Sequence, residues 1–241
     1  MEWTDQGIVL SFRRHGETSA IVSLLTRDHG RHAGLVRGGG SKRQRALLQP
    51  GNTLAARWRG RLPEHLGTYT CEMVRAGAAE WLDDPARLAA LSAACALVET
   101  ALPEREPHAN LYSGFVDLLA ALAGDGWPTA YVRWELALLA ELGFGLDLSR
   151  CAATGRNDQL AFVSPKTGRA VSLSAGEPYR DALLPLPAFL AGDTVAGDAA
   201  AVAEGLKLTG YFLERHVYGH HHRGVPPARD RLLQRLRNAS R

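Results

Sequence analysis

Over the first 75 residues apolar and polar positions alternate in short runs. Ile8, Leu10 and Phe12 take turns with Val9, Ser11 and Arg13, the period of two of a strand with two faces. Arg14-His-Gly16 supplies a turn. In Ser19–Thr26, Ile21, Ser23 and Leu25 share one face, and Ala20, Val22 and Leu24 share the other. Asp28-His-Gly30 turns the chain again, and residues 31–36 make a third run. A glycine-rich basic interval follows. After the break at Pro50-Gly-Asn52, residues 54–61 and 67–74 read as a fourth and a fifth strand. Five short strands with one longer interval after the third predict a small Greek-key barrel of the OB type. An SH3-like barrel is the alternative.

From residue 83 the period becomes helical. Asp84 caps a helix with Pro85 in its first turn, and Leu88, Leu91, Cys95 and Val98 fall on one face. A second helix, about 109–123, buries Leu111, Phe115, Leu118, Leu119 and Leu122. A third runs from a cap at Thr129 to about Leu142 and is stopped by Gly143. Residues 160–163 and 169–173 flank the turn Ser164-Pro-Lys-Thr-Gly168 and read as a hairpin. A last long helix, about 199–218, aligns Val202, Leu206, Thr209, Leu213 and Val217. Pro226-Pro227 separates it from a short basic end, where Leu232, Leu233 and Leu236 dock a final turn. The expected fold class is α+β: an OB barrel at 1–78, then a helical domain at 79–241 with an insertion at about 151–180.

Charge changes this picture. The 241 residues carry a net +3, but residues 1–62 hold +7 and residues 223–241 hold +5, leaving −9 for the middle. A basic front and tail on an acidic centre point to a polyanion partner. The first residues are acidic and polar, unlike a signal peptide, and no run approaches the roughly 18 apolar residues of a membrane span. Cys71, Cys95 and Cys151 are odd in number and far apart, which suits reduced thiols. A cytoplasmic, nucleoid-associated protein is expected.

The chemistry is that of binding. Arg37-Gly-Gly-Gly-Ser-Lys-Arg-Gln-Arg45 sets four cations on a permissive backbone, and is expected to be mobile until a polyanion is present. It is no phosphate loop of a nucleotidase, since Gly40-Ser-Lys42 reverses the order that a Walker motif needs. No zinc-protease, nucleophile-elbow or paired-cysteine motif occurs, and no pair of carboxylates reads as acid and base. His216 with His220, His221 and His222 has metal-ligand spacing, but lacks a neighbouring cysteine or carboxylate, so an exposed helix end is the reading. On the fourth strand Arg57, Arg59 and Arg61 share one face, about 7 Å apart, close to a phosphate repeat. Arg13, Arg14, Arg27 and Arg31 extend the row, and Arg37, Lys42, Arg43 and Arg45 close over it. Trp58 points the other way, into the core. Phosphate contacts should therefore dominate over base readout, and ~6–8 of them predict a log–log salt slope of about −4 to −7. Such contacts do not distinguish the sugar, so RNA binding is the alternative.

Several short stretches in register resemble one family. They are Gly7-Ile-Val-Leu10, Glu17-Thr18, Thr26-Arg-Asp-His-Gly30, the glycine-rich basic loop and Leu48-Gln-Pro50. Arg133-Trp-Glu-Leu-Ala-Leu-Leu-Ala-Glu-Leu-Gly-Phe144, Cys151-Ala-Ala-Thr-Gly155 and Phe162–Arg169 follow in the same order. The chain is similar over most of its length to the RecO family of bacterial recombination mediators, in the RecF pathway. The resemblance implies a non-enzymatic protein that binds single- and double-stranded DNA, anneals complementary strands and binds RecR. It also implies binding to the acidic tail of single-stranded DNA-binding protein (SSB) and help in loading RecA. Arg133 matches a basic position implicated in holding that tail, and a planar guanidinium suits a terminal carboxylate. Some members carry a four-cysteine zinc site. Here Cys151 stands alone and Thr154 takes a partner's place, so no zinc and no cofactor is expected. The 151–180 hairpin is then left to hold by packing alone, or to be mobile.

Overall fold

The computed structural model of the chain describes residues 1–192, 197–219 and 224–239. The architecture is α+β. Strands β1 (Glu2–His15), β2 (Ser19–Thr26), β3 (Gly30–Val36), β4 (Thr53–Arg59) and β5 (Thr68–Arg75) form a five-stranded barrel in the order β1-β2-β3-β5-β4. Helix α1 (Lys42–Leu47) lies between β3 and β4. All neighbours are antiparallel except β3 and β5, which meet in parallel at Leu35 and Thr68, while β1 and β4 close the ring. This is the OB arrangement. Val9, Val22, Leu24, Leu54, Ala56, Trp58 and Tyr69 fill its interior.

β1 begins at Glu2, six residues before the expected start, and it does not simply alternate. Ile8, Val9 and Leu10 are all buried, because a bulge between Val9 and Ser11 shifts the register and α2 (Pro85–Ala101) covers the outer face. The Cys95 thiol donates to the Val9 carbonyl at 3.6 Å, and the Ser11 hydroxyl donates to Glu99 at 3.1 Å. Asp84 caps α2 by accepting from the amides of Ala86 and Arg87, both at 3.0 Å. The chain divides into two compact units, Met1–Ser113 with Pro226–Arg235, and Gly114–Val225 with Leu236–Arg241. α2 thus belongs with the barrel, and α3 (Ala109–Ala121) crosses the division.

In the second unit α4 (Trp127–Glu141) starts before Thr129, which is buried inside it. Pro128 opens the first turn, and Gly126 holds the cap position. β6 (Leu160–Val163) and β7 (Ala170–Ser172) form the expected hairpin. The short helix α5 (Leu173–Gly176) follows, and a two-residue strand, β8 (Leu184–Pro185), joins the free edge of β6. The last long helix is α6 (Ala199–Phe212), continued by a π-helical segment at Leu213–Tyr218. Its apolar stripe holds through Leu213. The wider π turn then rotates the face, so Tyr218 is buried where a regular helix would place Val217. The Thr209 hydroxyl donates to the buried carboxylate of Glu135. The basic end forms α7 (Pro227–Ala239), a full helix where only a final turn was expected.

Candidate nucleic-acid interface

β4 alternates as its sequence requires. Leu54, Ala56 and Trp58 point into the barrel, and the Trp58 indole donates to the Leu66 carbonyl at 3.0 Å. Arg57 and Arg59 point outward. β5 runs beside them through Thr68 and Thr70, and the end of β3 brings in Arg37. Together with Gln44 of α1 these side chains line a groove of about 540 Å³. Three of the expected cations thus meet in one concave surface.

The others are distributed. Arg61 lies beyond the end of β4: the Gly60 amide donates to the Met1 carbonyl at 3.0 Å, and the chain turns away. The row of three is therefore a strand pair, Arg57 and Arg59, completed from another strand by Arg37. Arg13 and Arg14 sit at the end of β1, where register sets Arg14 beside Ala20 and Ala20 beside Val36, the residue before Arg37. The Gly40 amide donates to the Thr18 carbonyl at 3.0 Å, tying the glycine turn to the β1–β2 turn. Gly39 allows this approach, since a Cβ there would stand 2.6 Å from that of Ala20. The expected mobile loop is only half a loop. Ser41 accepts from the Gln44 amide at 3.3 Å and starts α1, so Lys42, Arg43 and Arg45 are carried on a helix, exposed.

Arg27 and Arg31 lie at the other end of the β2–β3 hairpin, away from Arg37. Arg27 is exposed in the turn. Arg31 is taken up within the fold: its Nε donates to the Leu102 carbonyl at 2.9 Å, and Glu104 and Glu99 stand 3.4 and 3.7 Å from its Nη1. Its side chain is 15% exposed, so three acceptors already occupy the group expected to meet phosphate. A second departure concerns Glu2. Its carboxylate pairs with Arg57 and stands 4.0 Å from Arg59, because β1 places Glu2 opposite Arg59. These partners are exposed, so the pair contributes little to stability and yields readily to a competing anion.

Family models for the N-terminal and C-terminal parts of recombination protein O match residues 1–76 and 82–224. The chain belongs to the recombination protein O family. Among its relatives, "DNA repair protein RecO" of Rhodospirillum centenum is 61% identical, over 99% of this chain and 96% of that protein. The proteins of the same name from Rhodospirillum rubrum and Phenylobacterium zucineum are 54% and 53% identical. Each alignment covers this whole chain, with 98% and 100% of the relative. No described helix is long and apolar enough to cross a membrane.

Arg133 and Cys151 are the positions that the family resemblance singles out. Arg133 is exposed on α4. Its Nη2 donates to the Phe189 carbonyl at 3.0 Å, and its guanidinium lies 5.8 Å from the centroid of the Phe189 ring. Cys151 is buried and accepts from the Ser172 amide at 3.2 Å. Burial pushes this thiol up, but hydrogen bonds from Ser172 and Thr154 outweigh that and bring it to about 6. The Gly155 amide closes the turn on the Cys151 carbonyl at 2.9 Å, so hydrogen bonds as well as packing hold this segment. Among the described residues no three His, Cys, Asp or Glu side chains converge as metal ligands would. His216 stacks on Phe144 and Phe212, while His220, His221 and His222 lie outside the described residues.

An aromatic cluster escaped the sequence reading. Trp3, His29, His32, Trp58 and Tyr69 meet at one end of the barrel. The signal was available, since Trp3, Asp5 and Gly7 alternate with Glu2, Thr4 and Gln6 and continue β1 backwards. Polar residues on both faces hid it. His32 is buried, with Nδ1 3.1 Å from the Tyr69 hydroxyl. Burial, helped by the Arg105 charge, lowers its pKa from 6.5 to about 4. Between these values the unfolded chain binds the proton that the folded chain refuses. The His32 contribution to stability is therefore full above pH ~6.5 and is lost as pH falls toward 4, by at most about 3 kcal/mol. Urea unfolding across this range should show that loss, and His32→Phe should remove its share of the slope. An unchanged slope would mean that other groups carry it.

Proposed function

We propose that this chain is a non-catalytic DNA-binding mediator of recombinational repair. It anneals complementary single strands and, with RecR, helps place RecA on DNA coated by SSB. The observation that carries the reading is the groove of Arg37, Arg57 and Arg59 on an OB barrel, in a family whose curated relatives are named DNA repair proteins. Annealing needs no bond to break. A cationic surface neutralises two strands, lowers their repulsion, and lets base pairing choose the partner. This work belongs to the cytoplasm, at the nucleoid.

Arg133 is the proposed contact for the SSB tail. The ring and carbonyl of Phe189 hold one edge of its guanidinium, which reduces the freedom lost when a carboxylate binds. The test is annealing of complementary strands, bare or coated with SSB. The chain should accelerate both, and Arg133→Ala should slow the coated reaction about tenfold while sparing the bare one, as for a charge-assisted contact of about 1.5 kcal/mol. Failure to anneal bare strands would overturn the function. Equal loss on both substrates would move the SSB contact elsewhere.

A further inference from the structure

Beside the arginine groove lies a second cavity, of about 530 Å³, that phosphate binding does not use. Its walls include Trp3, His29, His32 and Trp58, with Pro63 and Arg105, and the acidic side chains Glu2 and Asp28 also border it. Three observations set it apart from ordinary core. The first is a ladder of parallel rings. Trp3 stacks on His29 with centroids 3.9 Å apart and planes 9° from parallel, and on Trp58 at 5.9 Å and 17°. The outer rung, His29, remains 32% exposed and is steadied by Asp5, 3.4 Å from its Nδ1.

The second is the way Arg105 arrives. Its backbone has φ +64, a left-handed conformation uncommon outside glycine, and its amide donates to the Arg31 carbonyl at 2.8 Å. This conformation presents a guanidinium at the cavity wall from outside the barrel. Nη2 donates to the His65 carbonyl at 3.0 Å, and Nε has no acceptor. Backbone strain that delivers an incompletely satisfied cation to a cavity is a mark of binding sites.

The third is the link to the groove. Glu2 lines this cavity and also pairs with Arg57 and Arg59, so one side chain borders both sites.

We propose that this cavity takes an unpaired nucleobase of the DNA strand whose phosphates lie in the arginine groove. The base packs against His29, the outer rung that Trp3 backs, and against the Arg105 guanidinium. This inference rests on the DNA reading of the groove. A base is flat and presents a π face, the ligand that stacked rings and guanidinium planes accept, and stacking is tolerant of base identity. His32 is uncharged at neutral pH, so the cavity floor adds no second cation. A paired base must leave its duplex to enter, so the cavity favours single strands.

The test compares a thymidine strand with a strand of the same length built from abasic sites, which keeps the phosphates and removes the bases. The unaltered chain should bind the thymidine strand about tenfold more tightly, the lower part of the range for one stacked base. Trp3→Ala should erase that preference and leave abasic affinity unchanged. Because Trp3 also covers Trp58, His29→Ala at the outer rung is the second variant, with thermal unfolding as the control for both. No preference in the unaltered chain, or a preference that survives His29→Ala and Trp3→Ala, would overturn the proposal. Binding to neither strand would overturn the DNA reading of the groove itself.

Discussion

Replacing Arg37, Arg57 and Arg59 together by Ala should weaken binding to single-stranded DNA roughly 100-fold at about 0.1 M salt, with folding intact. The size follows from counterion release. Each phosphate contact on a single strand contributes about 0.7 to the log–log salt slope, so three contacts contribute about 2. At about 0.1 M salt each unit of slope is a factor of ten. Stability should change by no more than about 0.5 kcal/mol, because Arg57 and Arg59 are 61% and 79% exposed and their pairing with Glu2 is a surface one. Fluorescence anisotropy at several salt concentrations reads both affinity and slope. An unchanged slope with weakened binding would mean that the three arginines act other than through phosphate.

The largest effect on stability should come from Gly30→Ala. Gly30 has φ +63 at the tip of the β2–β3 hairpin, and an added Cβ would stand 2.0 Å from the Glu106 carbonyl oxygen and 2.5 Å from its carbon. Backbone is in the way, and it cannot swing aside as a side chain would. The left-handed conformation costs alanine about 1 kcal/mol, and the overlap adds ~2–3 kcal/mol. A total of about 3–4 kcal/mol lowers Tm by roughly 10 °C in a chain of this size. Gly16 is the control: its φ is +61, but nothing lies within 4 Å of its added Cβ. Gly16→Ala should cost only the conformational part, about 1 kcal/mol. If the two variants melted alike, the close approach of Glu106 would not be a feature of the folded protein. Gly30 matters beyond stability, because the segment it admits includes Arg105, whose amide is bonded to Arg31.

Much of the fold was legible from local pattern. Asp84-Pro85 announced α2, the turn at Ser164–Gly168 announced the β6–β7 hairpin, and the alternation in β4 put Trp58 inside and Arg57 outside. Legibility failed where a neighbour distant in sequence changed the meaning of a residue. Ile8-Val-Leu10 is buried on both faces because α2 lies on β1. Arg31 looked like any basic strand residue until Leu102, Glu104 and Glu99 were brought to it by a chain returning 70 residues later. The glycine-rich stretch has the composition of a loop only as far as Gly40; Ser41 is an ordinary helix cap followed by good helix formers.

What the sequence by itself determined is therefore local: the order of the five barrel strands and of the long helices, a small barrel of OB or SH3-like type, the family, and the excess of positive charge in the first 62 residues. The elements and the charge rest on periodicity, caps and composition, and the family on short stretches in register that resemble it; none of these needs knowledge of distant neighbours. Tertiary structure alone decided which charges meet. It joined Arg37 to Arg57 and Arg59 across three strands, set Glu2 against them, and withdrew Arg31 into the fold. It also assembled Trp3, His29 and Arg105 from three separate stretches around one cavity. The physical reason is that a groove or a ring stack is made by register and barrel closure, which depend on pairings between residues far apart in the chain.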